Sequence, residues 1–275
     1  MSGTLYIVAT PIGNLDDITL RAIKVLKDVD IIAAEDTRHT LKLLNHLEIS
    51  KPLISYYKQT EKVKTEILID RLKKGENIAL VSDAGTPVIS DPGEEVVKVA
   101  IKNNIKVVPI PGPCALITAL IASGMVAKEF SFIGFLPVNK KEKKEKLKEL
   151  LEDTKTLIFY EAPHKLIDTL KEMKDVFGNR KICLARELTK IHEEFLIDTI
   201  SNLLEKIEVP KGEYVIVIEG SDLSKREIET NKLNNMTIEE HYKYYEKLGY
   251  EKKEIIKQIA KDRNVNKNEI YKLFI

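Results

Sequence analysis

The sequence predicts an α/β protein with two sheet-bearing domains and a small helical module after them, and three observations carry that prediction. Across the first 112 residues, short β-branched apolar runs alternate with stretches whose apolar residues fall at helical spacing. Between about 120 and 220 the strand candidates crowd together, and two of them lie too close for a parallel crossover. The remainder carries helix start and stop signals in place of strand patterns.

In order, LYIVA reads as a strand, TLRAIKVLKD (Thr19 to Asp28) as a helix and VDIIAAE as a buried strand. RHTLKLLNHL reads as a helix and KPLISY as a strand. TEKVKTEILIDRLKKG is an amphipathic helix with Gly75 at its C-cap, and NIALVS is a buried strand. EEVVKVAIKNN and IKVVPI repeat the alternation. Near-continuous apolar strands separated by helices imply a largely parallel sheet covered on both faces. After the small-residue helix of PGPCALITALIASGM come FSFIGFLP, TLIFYEAP, KICLARE, EEFLIDT and YVIVIEG, with KKEKLKELLED and HKLIDTLKEMKDVFG as helices among them. The few residues between KICLARE and EEFLIDT make that pair antiparallel, hence a mixed sheet. The polar segment SDLSKREIETNKLNN reads as a linker.

Beyond the linker, Thr237 with Glu240 forms a capping box, Gly249 ends the first of three short helices, and Asn266 with Glu269 repeats the N-cap signal. The expected domains are 1–118, 119–222 and a helix-turn-helix-like module at 232–275. That module serves either as a packing or dimer element or as a contact to nucleic acid.

A chain of 275 residues, 43% hydrophobic and 32% charged, suits a globular protein of about this organisation. No run nears the roughly 20 apolar residues of a membrane span. MSGTLYIVATPIGN lacks the basic region of a signal peptide. Cys114 and Cys183, the two cysteines, lie in apolar surroundings and read as free thiols, so a reducing, cytoplasmic location is expected. The net charge of +1 leaves attraction to a polyanion to local stretches. NKKEKKEKLKELLED (Asn139 to Asp153) and the lysine-rich tail are candidates, although each also suits a solvated helix face.

Several chemistries are excluded. No two of the twelve glycines are closer than eight positions, so there is no G-x-G-x-x-G fingerprint and no Walker loop. The five histidines stand apart, His39 and His46 read as a helix-surface pair, and no metal is expected. No G-x-S-x-G elbow occurs. What remains are loops after strand candidates: TPIGNLDD, DAGTPVISDPG, PGPCAL, EAPHK and RELTK. Proline fixes φ and removes an N–H, while glycine lets backbone close on a ligand without a Cβ in the way. Several such loops converging from two domains point to a pocket at the junction.

TPIGNLDDITLRA, AAEDTRHT, LVSDAGTPVISDPG, VPIPGPCALITAL, FIGFLP, TLIFYEAPHKL and LARELTK together resemble the ribosomal RNA small-subunit methyltransferase I family. These are S-adenosylmethionine-dependent enzymes of the tetrapyrrole-methylase type. The resemblance runs from Leu5 to about Gly220, and the three-helix tail fits it. It implies a two-domain tetrapyrrole-methylase-like α/β fold, a homodimer, and S-adenosyl-L-methionine held between the domains. The reaction implied is 2′-O-methylation of a cytidine in the decoding region of 16S rRNA in the small ribosomal subunit.

For the cofactor, Pro11, Ile12 and Gly13 match the first loop, where the wider tetrapyrrole group carries more glycine. Asp83, Ala84, Gly85 and Thr86 match the second, with Ile89 beside them. Cys114 and Ala115 fall where small residues line the pocket, and Tyr160, Glu161 and Leu188 match its far wall. Asp83 can cap an Asx-turn, touch ligand, or do both.

A 2′-hydroxyl is a poor nucleophile, so a base or polarising group is expected within hydrogen-bond reach. Glu35, Glu187 and Lys190 are the candidates. Arg186 stands next to Lys190 as the cation that would depress its pKa. An Arg–carboxylate network that merely staples the domains is the alternative. Asp36, Arg38, Arg186 and the stretch Lys140 to Lys148, beginning with Lys140 and Lys141, are candidates for RNA contact, with Lys252, Lys253, Lys257 and Lys267 of the tail. Two other readings share the scaffold: a small-molecule tetrapyrrole methylase, and a non-catalytic RNA-binding or ribosome-assembly protein.

Overall fold

The computed structural model describes residues 2–222 and 233–274. The chain divides into two compact units, Met1–Glu219 and Gly220–Ile275. The polar linker expected from Ser221 to Asn235 lies for the most part outside the described residues.

In the first unit, β1 (Thr4–Val8), β2 (Ile31–Ala34), β3 (Leu53–Ser55), β4 (Ile78–Val81) and β5 (Lys106–Ile110) form a wholly parallel sheet, ordered β3-β2-β4-β1-β5. IIAA of β2 and IALV of β4 are buried at every position because helices cover both faces. Ile78 and Leu80 pack with Leu68 and Leu72 of α3 (Glu61–Lys73) and Val96 of α4 (Glu94–Lys102). Ala79 and Val81 face the opposite way, onto Leu26 of α1 (Leu20–Asp28) and Leu44 of α2 (Thr37–His46). Thr19 and Asp36 start α1 and α2 by accepting N–H bonds from Ala22 and Arg38. Lys74 is the C-cap of α3, and Gly75, one residue later at φ 96°, turns the chain toward β4. All five strands run the same way, so the loops after β1, β2, β4 and β5 gather at one edge.

The second sheet holds β6 (Phe130–Phe135), β7 (Thr156–Glu161), β8 (Lys181–Arg186), β9 (Glu194–Thr199) and β10 (Tyr214–Ile218), ordered β6-β7-β10-β8-β9. β6 and β7 are parallel; the other pairings, including the expected β8–β9 hairpin, are antiparallel. One face packs Leu157, Phe159, Leu184 and Ile216 beneath α6 (Lys140–Glu149), α7 (Pro163–Phe177) and α8 (Ile200–Lys206). The other packs Ile158, Cys183, Ala185 and Val217 against Leu116, Ala119 and Leu120 of α5 (Ala115–Ala122). Burial pushes the Cys183 thiol up to about 11, in keeping with a packing role.

The expected boundary between 118 and 119 therefore falls inside α5. This helix leaves the first sheet and buries its leucines on the second, each such burial contributing about 1.5–3 kcal/mol. The two sheets belong to one compact unit. Nor is α6 a uniformly solvated lysine face. Lys143 is buried, its Nζ donating to Thr169 Oγ1 at 2.6 Å and pairing with Glu172 at 3.2 Å, while its stem packs beneath α7.

In the second unit, α9 (Ile238–Lys247), α10 (Lys252–Asp262) and α11 (Lys267–Lys272) enclose Leu233, Tyr245, Ile255, Ile256, Ile259 and Ile270. The Thr237–Glu240 capping box forms, Gly249 follows α9 at φ 81°, and the Asn266 side chain accepts the Asn268 N–H. At the centre lies His241, fully buried. Its Nε2 meets Asp262 Oδ2 at 3.2 Å, its Nδ1 accepts from Arg263 Nε at 3.2 Å, and Tyr245 Oη donates to the same Asp262 oxygen at 2.5 Å. Burial, opposed by Asp262, lowers the His241 pKa. A histidine depressed in the folded state contributes stability that is present above its unfolded pKa of about 6.5 and lost as pH falls. Hydrogen exchange, corrected for its intrinsic pH dependence, should show the amides of α9 and α10 losing protection below about pH 6. His241→Gln should flatten that dependence.

Candidate functional site

Three loops of the parallel sheet are tied together by short polar bonds. Thr10 N–H donates to Gly85 O at 2.8 Å, and Gly85 N–H returns a bond to Thr10 O at 3.0 Å. The buried Thr10 hydroxyl donates to Ser82 O at 3.2 Å, and the Thr86 hydroxyl to Pro113 O at 2.9 Å. Gly85 adopts φ 84°, and a Cβ there would stand 3.1 Å from Ile12 Cγ2, so the close approach of the first two loops requires glycine. The second loop continues with Val88 at φ 76° and Ser90 at φ 67°. Left-handed backbone at a β-branched residue costs about 1–3 kcal/mol and persists only where the surroundings hold it.

The second sheet supplies the facing wall. Phe135, Tyr160 and Glu161 come from the ends of β6 and β7, Glu187, Leu188 and Lys190 from the hairpin loop after β8, and Glu213 to Val215 from the start of β10. The cleft between encloses about 270 Å³. Tyr160 is held edge-on by Phe132 and Phe135, with centroids 5.0 and 5.6 Å away. Burial is the first cause raising its hydroxyl to about 12. The Glu161 carboxylate accepts from Ala162 N–H at 2.9 Å and from the Thr169 hydroxyl at 2.5 Å, so the buried Lys143–Thr169 contact supports it from beneath.

Of the residues expected to hold the cofactor, all but Pro11 and Gly13 line this cleft. Pro11 lines a neighbouring pocket of about 50 Å³ with His39, Leu43 and Asp83. Gly13 packs on the hairpin loop, where a Cβ would press on Lys190 Cγ and the Leu188 carbonyl.

Glu187 and Lys190 line the cleft and form an ion pair at 3.1 Å. Glu35 does not line it, although burial first and then Asp83 and Asp91 raise its carboxyl. Arg186 is bound to Glu194 at 2.6 Å, so the close partner of Lys190 is a carboxylate, not the expected guanidinium. Asp36 holds Arg38 at 2.7 Å and is itself held well below the usual carboxylate range by those hydrogen bonds. The Arg38 side chain is 88% exposed. Lys140 and Lys141 are exposed on α6, whereas Lys143 of the same stretch is buried. Lys252 and Lys253, both exposed, belong to the second unit, and Lys252 Nζ donates to Phe274 O at 3.0 Å. Among the described residues no His/Cys/Asp/Glu group is arranged to hold a metal.

Sequence reading missed Ser90, Asp91, Phe135, Glu213, Tyr214 and Val215. Asp91 was legible as the second aspartate of SDAGTPVISDPG. Glu213 and Tyr214 were not, because the start of β10 meets the ends of β7 and β8 only through antiparallel pairing, with Tyr214 opposite both Glu161 and Arg186. Burial first, then Asp83 and Glu213, raise Asp91 to about 6, with the nearby Ser82 hydroxyl opposing the rise.

A parallel and a mixed five-stranded sheet thus face each other across one cleft. Residues 4–204 match the family model described as Tetrapyrrole (Corrin/Porphyrin) Methylases. Ribosomal RNA small subunit methyltransferase I of Halalkalibacterium halodurans is 50% identical over 274 residues, covering 99% of this chain and 94% of that relative. The Bacillus subtilis protein of the same name is 49% identical, covering 98% and 93%. Among solved structures, diphthine synthase superposes with TM-score 0.61 at 14% identity, over 79% of this chain and 90% of that one. Thermus thermophilus uroporphyrin-III C-methyl transferase complexed with S-adenyl homocysteine superposes with TM-score 0.56 at 18% identity, over 78% and 97%. The chain belongs to the ribosomal RNA small subunit methyltransferase I family, within the tetrapyrrole methylases.

The raised Asp91 carboxyl has a consequence for stability. A folded-state value above the unfolded one contributes stability present below the unfolded pKa, near 3.9, and lost as pH rises through about 6. Because Asp91 is only half-buried, solvent screening trims the effect, and Asp91→Asn should stabilise the protein by about 1 kcal/mol at pH 8 and change it little at pH 3.5, read by chemical denaturation.

Proposed function

We propose that this chain transfers the methyl group of S-adenosylmethionine to the ribose 2′-hydroxyl of a cytidine in the decoding region of 16S rRNA, within the small ribosomal subunit. The observation that carries the reading is identity of about half the residues, over nearly the whole chain, with relatives named for rRNA methylation. The loops those motifs occupy converge on one cleft.

The cleft fits the cofactor. Gly85 leaves open a space that a Cβ would crowd against Ile12. The lining carries the carboxylates Asp83, Asp91, Glu161, Glu187 and Glu213 against the single cation Lys190, which favours a positively charged sulfonium. Ile12 and Asp83 to Thr86 would hold it from the first sheet, and Tyr160 and Leu188 from the second. Bound there, S-adenosylmethionine supplies an electrophilic methyl. The chain's contribution is to position donor and hydroxyl in line, to keep water out with the apolar walls, and to receive a proton.

RNA contact falls to exposed cations: Arg38 in the first turn of α2, Lys140 and Lys141 on α6, and Lys252 and Lys253 on α10. Arg186, half-buried and paired with Glu194, would act from the hairpin. We place the protein in the cytoplasm as a homodimer, an assembly that would cover Ile117 and Ile121, exposed on α5. No described helix is long and apolar enough to cross a membrane.

Mass spectrometry of 16S rRNA fragments from cells lacking the chain should show one cytidine short of a 2′-O-methyl group. The purified protein with labelled cofactor should restore it on small subunits and leave a porphyrinoid unlabelled; the reverse labelling would make the chain a small-molecule methylase. The double variant Lys252→Glu, Lys253→Glu should bind small subunits more weakly, with a log–log salt slope shallower by about 1–2, and keep its calorimetric affinity for S-adenosylmethionine.

A further inference from the structure

Five carboxylates line the cleft, and their engagements differ. Asp83 Oδ1 accepts the Asp36 N–H at 2.9 Å. Glu161 is tied by the Ala162 N–H and the Thr169 hydroxyl. Glu187 is ion-paired to Lys190, and Glu213 is exposed to solvent. Asp91 is half-buried and forms no salt bridge among the described residues, and the Ser82 hydroxyl donates to the Ala84 and Gly85 carbonyls at 3.4 Å. Its loop is held in a costly shape around it, with Val88 and Ser90 at positive φ. From the facing sheet, Gly134 comes so near that a Cβ would sit 3.1 Å from Ser90 Oγ. Backbone strain maintained by packing marks positions whose geometry serves function.

The geometry points to Asp91 as the proton acceptor for the attacking hydroxyl, an assignment that rests on the methyl-transfer reading above. The hydroxyl proton passes to an Asp91 carboxylate oxygen while the hydroxyl oxygen bonds the methyl carbon. The carbon–sulfur bond breaks, and sulfur keeps its electron pair as a neutral thioether. Asp91 leaves the step as the neutral acid and returns the proton to water. The groups facing it are Asp83 and Ser82 on its own loop, Glu35 beyond β2, Glu213 before β10, Tyr160 on β7, and the Glu187–Lys190 pair of the hairpin. Burial and the neighbouring carboxylates set its value near 6, so it is ionised and still basic at neutral pH.

The test combines calorimetry of S-adenosylmethionine with single-turnover methyl transfer to small subunits from cells lacking the chain, between pH 5.5 and 8.5. Wild-type rate should fall about tenfold per pH unit below about 6. Asp91→Asn should lower the rate at saturating S-adenosylmethionine by about 10²–10⁴-fold and remove the acid limb. Asp91→Glu should recover part of the rate. An Asp91→Asn protein within about threefold of wild type that keeps the limb overturns the assignment. So does one whose cofactor affinity drops tenfold or more while its rate at saturating cofactor stands, since Asp91 would then hold the cofactor. A wild-type protein that transfers no methyl to rRNA overturns the functional reading itself, and this assignment with it.

Discussion

The pair of backbone bonds between Thr10 and Gly85 is the constraint on which the cleft depends. Both residues are buried, and each gives and takes one N–H bond outside any strand of the sheet. A buried amide left without a partner costs about 1–3 kcal/mol, so the two loops stabilise each other in one arrangement. Thr86 then reaches Pro113, fastening the third loop to the second. Four neighbouring strands could end in four independent loops; here three of them form one rigid rim.

The opposing wall is brought to that rim by α5. It follows the third loop directly, and its buried leucines belong to the core of the second sheet. The rim and the wall are therefore joined through a helix packed on the second sheet. Close glycine contacts complete the junction: Gly13 against the hairpin loop, Gly134 against Ser90, and Gly212 against the Glu187 carboxylate. The hairpin loop, like the second loop, carries non-glycine residues at positive φ, Glu187 at 50° and Thr189 at 66°. Strain thus collects on both sides of the cleft, where two sheets confine the backbone together.

These features divide what the sequence disclosed from what it concealed. The parallel sheet was legible because IIAA and IALV are apolar without alternation, a pattern that requires cover on both faces. The β8–β9 hairpin followed from chain length alone. The partition of α5 was hidden, since ALITALIA is equally content on either sheet and only the assembled core decides. Lys143 was hidden for a related reason: KKEKKEKLKE has no obvious buried face, and burial of one lysine depends on Thr169 and Glu172 standing on the neighbouring helix. In the site, proline-glycine loops announced themselves by composition, whereas Glu213, Tyr214 and Val215 reached the cleft through strand pairing that no local signal encodes.

The electrostatics of the cleft also separate two tasks that the proposed reaction imposes on one surface. A cationic donor gains from a carboxylate-rich lining, while a polyanionic RNA is repelled by it. The chain resolves the conflict by depth. Asp91 and Glu161 are half-buried or buried, Glu187 is half-buried and paired with Lys190, and Glu213 is the exposed carboxylate of the five. Outside, Arg38 projects almost wholly into solvent, anchored at its base by Asp36. Interactions among exposed charges fade over about 8 Å at physiological salt, whereas buried ones persist. On the proposed reading, the RNA backbone would meet the outer cations and the sulfonium the inner carboxylates.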